Sequence, residues 1–130
     1  MTDSMNISSI GQIAIAITDL EKATYFYQKI LKLELLFEVP PNLAFFNCGG
    51  VRLMLTTLQG PEQDHKTSVI YYKITNIEEI FEELKSLQVD IERAPGMAAK
   101  MEDHELWIGF IRDPDGNLVG LMEEKPLPAT

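Results

Sequence analysis

The stretch Arg112-Asp113-Pro114-Asp115-Gly116-Asn117-Leu118-Val119-Gly120-Leu121-Met122-Glu123 sets a turn cluster between two apolar runs. Ile108 to Ile111 enter it with strand character, and Leu118 to Met122 leave it in the same way. Pro114 restricts φ and Asp115-Gly116 supplies a corner that favours positive φ, so the segment predicts a β-hairpin.

Working outward from that hairpin, Val69 to Ile74 reads as a strand and Asn76 to Leu87 as a helix. Asn76 stands at the N-cap, and Ile77, Ile80, Phe81, Leu84 and Leu87 form the apolar stripe. With strands around Val89 to Ala94, Leu106 to Arg112 and Leu118 to Glu123, the second half has the order βαβββ. The first half repeats it. Ile10 to Thr18 alternates Ile13, Ile15 and Ile17 against Gln12, Ala14 and Ala16, and Asp19 caps a helix that should end near Lys32. Its buried stripe is Ala23, Phe26, Tyr27, Ile30 and Leu31. Strands over Glu34 to Val39, Leu43 to Cys48 and Val51 to Leu58 follow, punctuated by Pro40-Pro41-Asn42 and Gly49-Gly50. Ile17-Thr18-Asp19-Leu20-Glu21 aligns with Ile74-Thr75-Asn76-Ile77-Glu78 at a shift of 57 residues. Gly49-Gly50-Val51-Arg52-Leu53-Met54-Leu55 likewise aligns with Asp115-Gly116-Asn117-Leu118-Val119-Gly120-Leu121. One domain over 1–130 is expected, with module 1 at about 8–58, a linker at 59–66 and module 2 at about 67–125.

A chain of 130 residues, 45% hydrophobic and 24% charged, suits one globular domain that buries roughly two thirds of its unfolded surface. No apolar run approaches the roughly 18 residues of a membrane span. Met1 to Ser9 is polar and lacks a basic start and an apolar stretch, so a cytoplasmic location is expected. Cys48 is the single cysteine and has no internal disulfide partner. A net charge of −9 argues against nucleic acid, whose phosphates need clustered Lys and Arg, and leaves a cationic ligand or simple solubility open. Glu78, Glu79, Glu82 and Glu83, at helical spacing, form a solvated face.

The hairpin string together with the tandem repeat closely resembles the vicinal oxygen chelate superfamily, which contains glyoxalase I, extradiol dioxygenases, methylmalonyl-CoA epimerase and the bleomycin- and fosfomycin-resistance proteins. The resemblance implies an α+β fold in which two tandem βαβββ modules form an eight-stranded curled cup with the helices outside. A ferredoxin-like sandwich, βαββαβ, leaves two strands unaccounted for. Strand alternation then separates the faces. Ile13/Ile15/Ile17, Val51/Leu53/Leu55, Ile70/Tyr72/Ile74 and Val119/Leu121 should pack beneath the helices. Gln12, Ala14 and Ala16, Arg52, Met54 and Thr56, Val69, Tyr71 and Lys73, and Leu118, Gly120 and Met122 should line the cup.

In metal-dependent members of that superfamily, four cup-facing positions carry His, Gln or Glu. Carried onto this chain they fall at Gln12, Met54, Val69 and Gly120, of which only Gln12 offers a suitable donor, so no metal and no other cofactor is expected. That removes the Lewis acid on which the lyase, epimerase and dioxygenase reactions depend. The expected function is metal-free binding of a small molecule, as in bleomycin-binding members. The alternative is a lyase, isomerase or dioxygenase-type enzyme with a rearranged site, for which His104 and Gln12 are the catalytic candidates. The ligand-binding candidates are Gln12, Arg52, Met54, Tyr71, Trp107 and Met122. Arg52, between apolar neighbours, calls for a carboxylate partner, a solvated rim position or an anionic ligand. His104, in Glu102-Asp103-His104-Glu105, is a carboxylate-flanked base, a replacement ligand or a structured loop residue. His65 belongs to the polar linker as a surface residue, and Cys48 reads as a buried small hydrophobe rather than a nucleophile. Phe45, Phe46, Phe110 and Trp107 supply aromatic walls or core. The Pro95 to Asp103 loop is a lid or a dimer contact. A homodimer is expected by resemblance; nucleic acid and membrane partners are not.

Overall fold

The computed structural model describes residues 9–57 and 68–128. The N-terminal tail, Leu58, the expected linker and His65 lie outside these residues. The chain divides into two compact units, 1–66 and 67–130. In the first, β1 (Gln12–Ile17) leads into α1 (Leu20–Tyr25), which continues as a π-helical turn over Phe26–Ile30 and is followed by β2 (Glu34–Val39), β3 (Leu43–Cys48) and β4 (Val51–Thr57). The second holds β5 (Ile70–Lys73), α2 (Ile77–Ser86), β6 (Asp90–Lys100), β7 (His104–Arg112) and β8 (Leu118–Pro126). Each unit is therefore βαβββ, the order expected of a module.

The described strands form two four-stranded sheets with no closed barrel, in the orders β1-β4-β3-β2 and β5-β8-β7-β6. In each, the first strand runs parallel to the last and the remaining pairs are antiparallel. A parallel neighbour needs a long return path, which the helix and two intervening strands provide.

Alternation decides what each sheet buries. In the first unit Ile15, Ile17, Leu53, Leu55 and Phe46 are buried with Ala23, Phe26 and Tyr27 of the helix, and the Tyr27 and Phe46 ring centroids lie 6.2 Å apart. Each large apolar side chain so buried contributes about 1.5–3 kcal/mol. In the second unit Ile77, Phe81 and Leu84 of α2 are buried, as are Ile111, Val119 and Leu121. A Cβ built on Gly109 would stand 2.5 Å from Cζ of Phe81, so the helix packs where β7 has no side chain. Glu78, Glu79, Glu82 and Glu83 are all exposed, as their spacing predicts.

The founding hairpin owes its turn to Asp113 as well as to Asp115-Gly116. Asp113 is 4% exposed, and its Oδ1 accepts from the backbone N–H groups of Asp115 (2.9 Å) and Asn117 (2.8 Å) while Oδ2 accepts from the Asn117 amide (2.8 Å). Gly116 takes φ 83° at the corner.

Several local expectations change. Asp19 caps α1 through Lys22 N–H at 3.1 Å, but Asn76 adopts the left-handed conformation (φ 58°) and makes no side-chain cap. The start of α2 is capped from β8 instead, where Glu123 accepts from the N–H groups of Asn76 (3.0 Å) and Ile77 (2.9 Å). Leu87 follows the last helical turn and is 48% exposed, outside the buried stripe. The expected loop from Pro95 is strand as far as Lys100, so a lid role is withdrawn. Register shifts within β6 accommodate Pro95-Gly96, and β6 is an edge strand, where a missing N–H is tolerated.

Candidate functional site

Each sheet has one face against its own helix and one face away from it, called here the open face. Pairing register sets which residues meet there. Across the first sheet, Ala14 pairs with Met54, Met54 with Phe45, and Phe45 with Phe37. Beside this row lies a second, Gln12 with Arg52, Arg52 with Asn47, and Asn47 with Glu34. Across the second sheet, the corresponding row is Tyr71, Gly120, Phe110 and Arg93.

On the first open face, Arg52 Nε donates to Gln12 Oε1 at 2.8 Å, and Gln12 Nε2 reaches Met54 Sδ at 3.6 Å. The guanidinium carbon of Arg52 sits 5.2 Å from the Phe45 ring centroid, and Phe45 stacks on Phe37 at 4.6 Å. Arg52 is exposed, and none of the described carboxylates forms an ion pair with it. The Gln12 amide and the Phe45 ring fix its orientation. Glu34 is engaged by the Asn47 amide at 3.3 Å. Three of the named candidates, Gln12, Arg52 and Met54, thus form one bonded cluster.

On the second open face, Tyr71 lies edge-on to Phe110 at 5.7 Å, and Arg93 stands over Phe110 at 5.1 Å. Gly120 is buried beneath Tyr71, since a Cβ there would come within 2.7 Å of the ring. Met122, beside Lys73 and opposite Ile108, shares this face and is half-buried. His104 falls on it too by alternation, but six residues along β7 from Phe110, a span of about 20 Å. Its Nδ1 lies 2.7 Å from Asp103, and its Nε2 is 3.9 Å from Glu124, which itself pairs with Lys73 at 3.0 Å. The His104 hydrogen bond, followed by a backbone bond, holds the Asp103 carboxyl below the usual range. His104 begins a strand rather than sitting in a loop, and it stands apart from the aromatic row.

Trp107 belongs to the other face. It shares alternation with Gly109 and Ile111, its Nε1 donates to Glu105 at 3.0 Å, and Lys125 lies over its ring at 3.9 Å while binding Glu78 of α2. The assignment of Trp107 to the ligand wall is corrected accordingly. Phe46 is likewise core; Phe45 and Phe110 fall on the open face by register, although Phe45 is itself buried at 9% exposure. Cys48 is half-buried at the end of β3. Phe37 and Arg93 join the aromatic rows unanticipated. Both follow a register shift, at Leu35/Phe37 and Ile91/Arg93, so strict alternation assigns them no face.

The four positions corresponding to the ligands of metal-dependent members hold little that suits a hard divalent cation. Gln12 and Met54 are bonded to each other, Val69 offers no donor, and at Gly120 the Tyr71 ring occupies the place of a side chain. Among the described residues no three His, Cys, Asp or Glu gather as a metal-binding group. No described helix is long and apolar enough to cross a membrane.

Solved structures with this fold include lactoylglutathione lyase from Agrobacterium tumefaciens, 22% identical, covering 91% of this chain and 95% of that one at a TM-score of 0.73. A superfamily member from Sphaerobacter thermophilus is 24% identical, with 91% and 98% covered and a TM-score of 0.73. TioX from Micromonospora sp. ML1 is 19% identical, with 92% and 100% covered and a TM-score of 0.72. At these identities the likeness speaks to the fold. A family model described as the Glyoxalase/Bleomycin resistance protein/Dioxygenase superfamily matches residues 9–121, nearly the whole of both βαβββ units, and the chain belongs to that superfamily.

Proposed function

We propose that this protein binds a small organic molecule on its open sheet faces without a metal ion. The observation that carries the reading is the state of the four ligand positions: an amide bonded to a thioether, a valine, and a glycine roofed by Tyr71. Such a set supplies neither the oxygen and imidazole donors nor the charge that a catalytic divalent ion requires. With no Lewis acid to polarise a carbonyl, the lyase and isomerase chemistry of metal-dependent relatives has no counterpart in these residues. What they offer is recognition: aromatic rows, half-buried methionines and two guanidiniums held over rings. A homodimer and a cytoplasmic location are part of the same proposal, the first supported by superfamily resemblance.

An enzyme with a rearranged site is the second reading, and the observation favouring it is the Asp103–His104–Glu124–Lys73 chain, which presents a carboxylate-flanked imidazole. A thermal-shift screen of small organic molecules, run with and without a chelator, tests the first. A guest present at 100 times its dissociation constant stabilises the folded chain by about 2.7 kcal/mol, a shift such a screen resolves. Guests that stabilise equally in both conditions support metal-free binding. Guests that act only with added divalent metal contradict it.

A further inference from the structure

We propose that the open face of the first sheet is a receptor for planar aromatic carboxylates, with the ring system against Phe37 and Met54 and the carboxylate on Arg52. This rests on the reading of the protein as a metal-free binder. Ala14, Met54, Phe45 and Phe37 follow one another across four strands, a strip of about 15 Å at the usual strand spacing, which suits a bicyclic ring. Phe45 is only 9% exposed, with the Phe37 ring at 4.6 Å and the Arg52 guanidinium at 5.2 Å, so the apolar surface a guest can reach is that of Phe37, 49% exposed, and of half-buried Met54. Ala14 is exposed and small, which leaves the β1 end of the strip low.

Charge selects the carboxylate. Arg52 spends Nε on Gln12 and rests on Phe45, so its two terminal nitrogens are held in one plane beside the strip with no described carboxylate paired to them. A guanidinium fixed in this way offers a bidentate fork to a carboxylate. Glu34, the carboxylate on the neighbouring row, is two strands away, about 10 Å, and engaged by Asn47. Screening over about 8–10 Å limits the reach of the net charge of −9, so the local guanidinium decides the sign of the guest. A cationic guest would stand against Arg52, and a neutral one would forgo its terminal donors.

Titration calorimetry of the full chain with 2-naphthoate, 2-naphthamide and 2-naphthylmethylammonium tests this. The acid is expected to bind about tenfold or more tightly than the amide, and the ammonium compound most weakly. R52M should erase the acid's advantage over the amide. F37A should weaken acid and amide together, because it removes ring surface and not charge. Far-UV circular dichroism and the melting temperature identify variants that fail to fold, in which case R52K, which keeps the charge and loses the planar fork, replaces R52M and should give a reduced advantage. Equal affinity for acid and amide, preference for the ammonium compound, or an unchanged advantage in a folded R52M overturns the proposal. So does a fall in sedimentation mass in the variants with no change in naphthoate affinity, which would mean that a second copy of the chain covers this face. The two readings fail differently. Naphthoate binding that requires added divalent metal removes the metal-free reading, whereas chelator-independent guests that ignore Arg52 remove only this inference.

Discussion

Asp113 is the only charged side chain buried among the described residues, and its three accepted hydrogen bonds make a carboxylate tolerable there. Asp113→Ala strands the N–H groups of Asp115 and Asn117, so the expected loss is about 1–3 kcal/mol in urea unfolding, with little change in secondary structure. Asp103 behaves differently because it is exposed. Its folded carboxyl is held low by the hydrogen bond to His104, then by its own backbone bond. A lowered folded value means that the contribution is complete above the unfolded aspartate range and is lost as pH falls through the lowered value. An NMR titration should therefore find Asp103 ionising below ordinary aspartates, and His104→Gln should move it partway back. An unmoved midpoint would deny the pair.

At the scale of the element, the start of α2 depends on a residue in another strand. Removing the Glu123 carboxylate with Glu123→Leu should cost about 0.5–2 kcal/mol and speed hydrogen exchange at Ile77, because two first-turn N–H groups lose their acceptor. Gly109→Ala presses a methyl into the buried Phe81 ring and should cost about 1–3 kcal/mol, part of which Phe81→Leu in the same chain recovers. These contacts also mark what the sequence could reveal. Alternating isoleucines and the Asp19 cap were legible because their causes lie within a few residues. The Asn76 cap was not, since its letters match Asp19 while its acceptor stands 46 positions away in Ile77-to-Glu123 separation. Gln12, Arg52, Met54, Tyr71 and Met122 lie on regular ladders, where alternation assigns a face, whereas Phe37 and Arg93 lie beyond bulges, where it does not. Trp107 went astray because an aromatic residue on a half-buried strand has no preferred side until its partner is known.

Across the whole molecule, the duplication extends below the order of the elements. Leu35 and Phe37 bracket a bulge opposite Phe46 and Phe45, and Ile91 and Arg93 bracket one opposite Ile111 and Phe110, so both units make the same irregularity at the same place. The units differ in what that place presents: stacked phenylalanines in one, an arginine over a phenylalanine in the other. The proposed metal-free function requires that Gln12, Met54, Val69 and Gly120 hold no metal. Calorimetric titration of the chelator-treated chain with Ni²⁺ and with Zn²⁺ addresses it directly, and the account predicts no stoichiometric binding event; one ion per chain, released by chelator and lost in Gln12→Ala, would contradict it.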